Sequence, residues 1–249
     1  MAPVFLHGGG SHPEGDIAAL APFVATAAAL GGPIAVVLVA EVAADWDAYR
    51  AMLERAGAGE LTRLVVAPDE PLTAARLAGR HPGGVFVCGG PTPRYQEALC
   101  TDHSWLDYLR ARALPYGGTS AGAAIAAERA IVGGWRVGRA AGAVPILFQG
   151  ASEGLDLLES RPGLGLVPWA VEGHASQAGT LTRLLHALDA GVADTGWAID
   201  EHTALAVRGA RTEVHGLGQA YYARRLPANG VQVRIVPAGT TVTIDRSAT

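Results

Sequence analysis

Residues 114–126, Leu-Pro-Tyr-Gly-Gly-Thr-Ser-Ala-Gly-Ala-Ala-Ile-Ala, place a serine between a strand-like segment and a run of helix-forming residues. The small residues on either side of Ser120, in the pattern Gly118-Thr119-Ser120-Ala121-Gly122, permit a sharp strand-to-helix turn that holds a hydroxyl clear of the backbone. The N-terminus of the following helix offers backbone N–H groups and a favourable dipole to an oxyanion. The pattern therefore predicts a nucleophilic serine. An N-cap serine in a glycine-rich turn is the alternative interpretation.

The segments around this turn predict an α/β fold. Apolar, strand-like segments alternate with helix-like segments through the first half of the chain, which indicates a parallel sheet covered on both faces. The predicted strands are Pro3–His7, Pro33–Ala40, Leu61–Ala67, Gly84–Cys88 and Gly165–Val171. The predicted helices are Asp16–Leu30, Ala44–Ala56, Pro71–Arg80, Tyr95–Ala113 in two pieces, Ala121 to about Ala130, and Leu181–Ala190. Short alternating segments from Gly196 onward indicate an antiparallel extension. We expect a three-layer sandwich with a mainly parallel central sheet, formed by a single domain over residues 1–249.

Composition excludes several classes of chemistry. The chain has 249 residues, 49% of them hydrophobic, and a net charge of −4 without a basic block, which argues against nucleic acid or an anionic membrane as a partner. All 19 basic residues are arginine, so Schiff-base lysines, Ser–Lys dyads and the P-loop lysine are excluded. Cys88 and Cys100 form neither a disulfide framework nor a four-ligand zinc site, and we expect no metal and no cofactor. The first ten residues do not resemble a signal peptide, no segment approaches a membrane span, and a cytoplasmic location is expected.

Two glycine turns and one histidine follow other predicted strands. Gly8-Gly9-Gly10 and Gly89-Gly90 would lie at the same sheet edge as Ser120 and could bring backbone N–H groups to a substrate carbonyl. Alternatively, the glycines in both turns only allow the chain to turn tightly. For Gly8-Gly9-Gly10, a phosphate-binding loop is a third interpretation. His174 also follows a predicted strand and could take the proton of Ser120, although a lone histidine in such a position is more often structural.

These motifs together resemble a known family. The sequence GTSAGA, the two glycine turns before it, the later GLGL…H…RLL and the segment AIDEHTAL occur in the order and spacing of the dipeptidase E / cyanophycinase family of serine peptidases. The resemblance covers nearly the whole chain and implies a sandwich akin to class I glutamine amidotransferases, with serine in place of their cysteine. It implies that Ser120 is the nucleophile and His174 the base. It also assigns the oxyanion hole to Ala121 and to an N–H of the turn Gly89 and Gly90.

Further site residues and partners follow from the same resemblance. Candidate substrate-binding residues are Gly9, Gly10, Thr92, Gln177 and Arg183. The expected partner is a small peptide or amide substrate. A homodimer is a further possibility.

The chain departs from the family at the third catalytic residue. The family carries an acid roughly fifteen to twenty positions after the serine, but the segment from Ala130 to Ser152 contains no Asp or Glu. Glu128, Glu172 and Glu201 are the candidates to replace it. Glu201 belongs to a segment that matches the family and is expected to return near the site, whereas Glu128 falls in a helix of ordinary surface character. A backbone carbonyl or water facing His174 is the remaining alternative.

The chain also departs from the cyanophycinases of this family. Two of their arginine positions are Ala178 and Thr180 here, and the second glycine turn continues as Pro91-Thr92. The sequence thus predicts a serine hydrolase that cleaves a peptide or small amide other than cyanophycin through Ser120 and His174. The alternative is a catalytically degenerate relative that binds a small molecule or a protein.

Overall fold

A computed structural model describes residues 2–140, 142–228 and 230–244 of the chain. The strands in these ranges are β1 (Val4–His7), β2 (Ile34–Val39), β3 (Leu61–Val66), β4 (Gly84–Val87), β5 (Tyr116–Thr119), β6 (Arg129–Gly133), β7 (Arg136–Arg139), β8 (Gly142–Pro145), β9 (Glu159–Pro162), β10 (Ala170–Glu172), β11 (Thr195–Ile199), β12 (Thr203–Arg208), β13 (Arg211–Gly216), β14 (Gln219–Arg225), β15 (Val231–Pro237) and β16 (Thr241–Thr243). The helices are α1 (Pro13–Ala28), α2 (Trp46–Arg55), α3 (Ala74–Ala78), α4 (Thr92–Leu99), α5 (Ser104–Ala111), α6 (Ala121–Ala124) and α7 (Leu181–Asp189).

The central sheet has eight strands in the order β16-β13-β12-β1-β5-β4-β2-β3. Strands β1, β5, β4, β2 and β3 run parallel, and β12, β13 and β16 continue the sheet in antiparallel fashion. Every residue of β2, Ile-Ala-Val-Val-Leu-Val, is buried, as expected for an interior parallel strand. The mixed α/β architecture with a large, mainly parallel sheet is therefore confirmed.

A second sheet of four strands, β10-β11-β14-β15, follows in the C-terminal half. Strands β10 and β11 are parallel, with Glu172 opposite Ala198, and the other pairs are antiparallel. Helix α7 packs on this sheet through Leu184 and Leu188, which are fully buried. The antiparallel extension expected after Gly196 is thus divided between the two sheets.

Two predicted elements are wrong in their extent. The helix expected from Ala121 to about Ala130 ends at Ala124, and the chain enters β6, which pairs with β9. The alanine-rich sequence favours helix, but strand pairing in the folded protein outweighs that local preference. The strand expected over Gly165–Val171 is reduced to β10, because Gly165 has φ +62° and Pro168 lacks an N–H for a ladder. Over the described ranges, the helices are all too short or too polar to cross a membrane.

His7 ends β1 in a fully buried environment next to the central strands. Its Nδ1 lies 2.9 Å from Thr119 Oγ1, and its Nε2 has no hydrogen-bond partner among the described residues. Burial lowers the pKa of His7 to about 4 from an ordinary value of 6.5. Between pH 4 and pH 6.5 the imidazole is therefore mostly neutral in the folded protein and mostly protonated in the unfolded chain.

We expect this difference to make the fold acid-sensitive. The contribution of neutral His7 is complete above pH 6.5 and is lost as the pH falls through about 4, at a cost of up to about 3 kcal/mol in the free energy of unfolding. The substitution His7→Asn should lower stability at neutral pH but reduce its dependence on pH. Urea unfolding of both proteins across this range measures the effect. Parallel curves for the two proteins would contradict the prediction.

Candidate active site

The carboxyl ends of neighbouring strands bring the site together. Ser120 follows β5, Gly8–Gly10 follow β1, and Gly89–Gly90 follow β4, and these three strands are adjacent and parallel. In the second sheet, His174 follows β10 and Glu201 follows β11, which are also parallel neighbours. Because parallel strands end at a common edge, residues far apart in the chain meet here.

The two sheets are joined at this edge by backbone hydrogen bonds. The N–H of His174 donates to Gly8 O at 2.7 Å, and the N–H of His202, just past β11, donates to Gly9 O at 3.0 Å. Within the central sheet, the N–H of Ser120 donates to His7 O at 2.9 Å. The end of β1 and the turn after it thus contact both the serine of the same sheet and the histidine of the other.

Ser120 occupies a strained turn between β5 and α6. Its φ of 51° and ψ of −111° lie outside the regions that non-glycine residues favour. The flanking glycines make the turn sterically feasible, since a Cβ on Gly118 would overlap the Gly122 carbonyl and a Cβ on Gly122 would overlap the Val87 carbonyl. The structure therefore has the strand–serine–helix elbow that the sequence predicts.

Ser120, His174 and Glu201 form a continuous hydrogen-bonded row. Ser120 Oγ lies 2.9 Å from His174 Nε2, and His174 Nδ1 lies 2.7 Å from Glu201 Oε1. A carboxylate can only accept, so Nδ1 carries the hydrogen and the lone pair of Nε2 faces the serine hydroxyl. The His174 and Glu201 side chains are 31% and 27% exposed, which leaves the row accessible to a substrate.

Three of the residues predicted to bind substrate contact this row directly. A Cβ on Gly9 would overlap the His174 ring, and a Cβ on Gly10 would come within 2.8 Å of Glu201 Oε2. Gln177 accepts a hydrogen bond through Oε1 from the Glu201 N–H at 3.0 Å. Gly9, Gly10 and Gln177 therefore hold His174 and Glu201 in place.

The other acidic candidates lie elsewhere. Both oxygens of Glu172 accept from Arg183, from Nε at 2.6 Å and from Nη2 at 2.8 Å, in a pair whose side chains are 3% and 5% exposed. Arg183 also donates through Nη1 to Ala151 O at 2.7 Å. Glu128 is exposed. Of the three carboxylates considered from the sequence, the structure brings Glu201 to His174.

The glycine turn after β4 is held by two tyrosines. The hydroxyls of Tyr49 and Tyr95 both donate to Gly89 O at 3.0 Å, and the N–H of Gly89 donates to Tyr49 Oη at 3.1 Å. Burial raises the pKa of both phenols, which keeps them protonated as donors. The N–H of Gly90 has no partner among the described residues, and the N–H of Ala121, first in α6, has no acceptor within its helix. Both N–H groups are thus available to an acceptor beside Ser120.

Two cavities flank the Ser120–His174 pair. The first, which we call the acidic cavity, measures about 260 Å³ and is also lined by Thr92, Glu153 and Arg183. The second, the glycine-side cavity, measures about 340 Å³ and is lined by the two glycine turns and Tyr49. A larger cavity of about 610 Å³ is lined by neither Ser120 nor His174, so the candidate site does not lie in the largest of these cavities. No cluster of His, Cys, Asp and Glu suited to a metal ion occurs in the described part of the chain.

Sequence reasoning missed Tyr49 and Glu153. Tyr49 lies in a helix 40 positions from its partner Gly89, and no local pattern marks it. Glu153 is the first acid after the acid-free segment that ends at Ser152, which was the available signal. The structure places its carboxylate against the Thr92 N–H, at 3.1 Å.

Comparisons with known proteins agree on the fold. No family model matches the chain, and a search of curated proteins finds no significant match. Among solved structures, a peptidase from an acI-B1 Actinobacterium aligns with a TM-score of 0.68 at 18% identity over 98% of this chain and 97% of its own. The Listeria monocytogenes EGD-e protein described as a "Putative Peptidase E Protein" aligns with a TM-score of 0.55 at 20% identity over 87% of this chain and 99% of its own. The chain therefore shares its mixed α/β fold with these two proteins.

The Glu172–Arg183 pair should contribute strongly to stability. Arg183→Ala leaves a buried carboxylate without its partner, and we expect a loss of about 3–5 kcal/mol in the free energy of unfolding. Arg110→Ala is the matched control, because Arg110 pairs with Asp107 at the surface with side chains 51% and 75% exposed. The control should change stability by less than about 1 kcal/mol. Chemical denaturation measures both, and equal small losses would contradict the prediction.

Proposed function

We propose that the protein is a serine-type peptidase or small-amide hydrolase that resembles peptidase E. The observation that carries the proposal is the row Ser120–His174–Glu201, which lies between two cavities and beside two free backbone N–H groups. A nucleophile, a base held by a third group and an oxyanion site are the parts that acyl transfer requires. The expected substrate is a small peptide or amide.

The first step of the reaction would form a tetrahedral intermediate on the serine. Ser120 Oγ attacks the carbonyl carbon while its proton passes to His174 Nε2. Glu201 keeps Nδ1–H in place and stabilises the imidazolium that forms. The carbonyl oxygen becomes an oxyanion and accepts hydrogen bonds from the N–H groups of Gly90 and Ala121.

The second half would release the products. His174 donates its proton to the leaving nitrogen, the C–N bond breaks, and an ester on Ser120 remains. Water then attacks the ester with His174 as the base, and the acid product leaves as the Ser120 hydroxyl is restored. The reaction consumes one water and needs no cofactor.

The position of Glu201 favours an active enzyme over a catalytically degenerate binding protein. The missing acid after Ser120 was the main reason to consider a degenerate binding protein, and Glu201 at 2.7 Å from His174 supplies an acid from a different strand. In the acidic cavity, Ala178 and Thr180 occupy positions where the resemblance expects arginine, which supports a substrate other than cyanophycin.

A fluorophosphonate probe tests the nucleophile. The wild-type protein should be labelled at Ser120, because the probe reacts with an activated serine hydroxyl, and Ser120→Ala should abolish labelling and turnover. Intact-mass spectrometry and peptide mapping measure the modification. A wild-type protein that resists the probe and cleaves no peptide or amide would favour the binding role.

Replacement of Glu201 tests the acid. Glu201→Gln keeps the size of the side chain but removes the charge that stabilises the imidazolium, and we expect kcat to fall by a factor on the order of 10³–10⁴. Glu128→Gln, at an exposed glutamate outside both cavities, is the control and should leave kcat unchanged. Equal rates for Glu201→Gln and the control would show that Ser120 and His174 act without an acid.

A further inference from the structure

The acidic cavity contains an arginine, Arg183, whose N–H groups mostly donate to the protein itself. Arg183 is nearly buried, and Nε and Nη2 donate to Glu172. Nη1 donates to Ala151 O and reaches Gly134 O at 3.4 Å. Four of the five guanidinium N–H groups therefore donate to the protein, and no pair of free N–H groups remains for a bidentate grip on a substrate carboxylate.

Glu153 faces the same cavity without a matching cation. Its Oε2 accepts from the Thr92 N–H at 3.1 Å, and its Oε1 has no hydrogen-bond partner among the described residues. Glu172 and Arg183 neutralise each other, so the ionised form of Glu153 gives this wall of the cavity one uncompensated negative charge when His174 is neutral.

The position of Glu153 is imposed by its backbone. The residue has φ +57°, a left-handed conformation that costs free energy for a side chain with a Cβ. Gly133 packs so closely that a Cβ there would come within 2.8 Å of Glu153 Cβ. Burial raises the pKa of the Glu153 carboxyl, so the ionised form is poorly solvated and would gain from a cationic partner.

We propose that Glu153 makes the acidic cavity select the half of an amide substrate that carries a protonated amine or guanidinium, and reject a half that carries a carboxylate. This inference rests on the proposed function, since the cavity opens on Ser120 and His174. The cationic group is either the free amino terminus of the substrate or a basic side chain. Both would bind the free oxygen of Glu153 by a charge-assisted hydrogen bond.

A purely structural role for Glu153 predicts different behaviour. Its hydrogen bond to Thr92 holds the start of α4, where a negative charge is favourable. Glu153→Gln retains an oxygen for that bond and removes the charge. If the role were structural alone, the substitution would change stability and leave the preference among ligands as it was.

Binding measurements on an inactive protein test the proposal independently of turnover. In the Ser120→Ala background, calorimetry with lysyl-alanine, norleucyl-alanine and glutamyl-alanine compares side chains of similar reach that are cationic, neutral and anionic. The same three dipeptides with an acetylated amino terminus remove the terminal cation. Adding Glu153→Gln to this background removes the proposed partner, and Glu159→Gln, six residues away and outside both cavities, is the matched control.

The two sources of the cation give different results. If Glu153 binds a basic side chain, lysyl-alanine should bind about tenfold tighter than norleucyl-alanine, and Glu153→Gln should remove that difference. If Glu153 binds the amino terminus, acetylation and Glu153→Gln should each weaken all three dipeptides by about tenfold without adding. Glutamyl-alanine should bind most weakly in both cases, and Glu159→Gln should change nothing.

The proposal is overturned if Glu153→Gln changes the affinities of neither the free nor the acetylated dipeptides. It is also overturned if glutamyl-alanine binds more tightly than the other two dipeptides. The proposed hydrolase activity is judged separately, by fluorophosphonate labelling and turnover of the protein with Ser120 intact. A labelled, active enzyme whose preference ignores Glu153 would therefore disprove the inference and leave the proposed function standing.

Discussion

The contact between the His174 ring and the backbone of Gly9 is the constraint on which the site depends. Two sheets meet there, and no side chain fits between them, because a Cβ on Gly9 would overlap the imidazole. The His174 N–H donates to Gly8 O on the same turn, so the histidine is held by its backbone as well as its ring. Glycine at this turn lets one sheet present a base to the serine of the other.

The carboxylates around this contact differ because their environments differ. Glu201 lies partly exposed beside His174 and can orient an imidazole, whereas Glu172 is buried and bound on both oxygens by Arg183. Glu153 has one backbone donor and a raised pKa caused by burial. Glu201 thus orients His174, Glu172 pairs with Arg183, and Glu153 presents its carboxyl group to the acidic cavity.

The contact between Glu201 and His174 has a simple geometric basis. Strands β10 and β11 are parallel neighbours, and each ends shortly before one of the two residues, His174 and Glu201. A side chain just past β11 therefore reaches Nδ1 of His174 without any contribution from the segment that follows α6. A strand end in the second sheet thus offers a carboxylate to His174 from a position distant in sequence from the segment after Ser120.

The sequence by itself determined the α/β class and the elbow at Ser120, because these depend on short-range patterns. The pairing of Ser120 with His174 was predicted from the position of His174 after a strand together with the resemblance to a known family. For the group that orients His174, the sequence offered three glutamates, including Glu201, as well as a backbone carbonyl or water, but it could not choose among them. Only the tertiary structure decided that Glu172 belongs to Arg183, that Tyr49 engages the Gly89 N–H and that Glu153 faces the cavity. It also ended α6 at Ala124, where pairing of β6 with β9 outweighs helix propensity. These outcomes depend on contacts between residues distant in the chain, whose energies no local pattern contains.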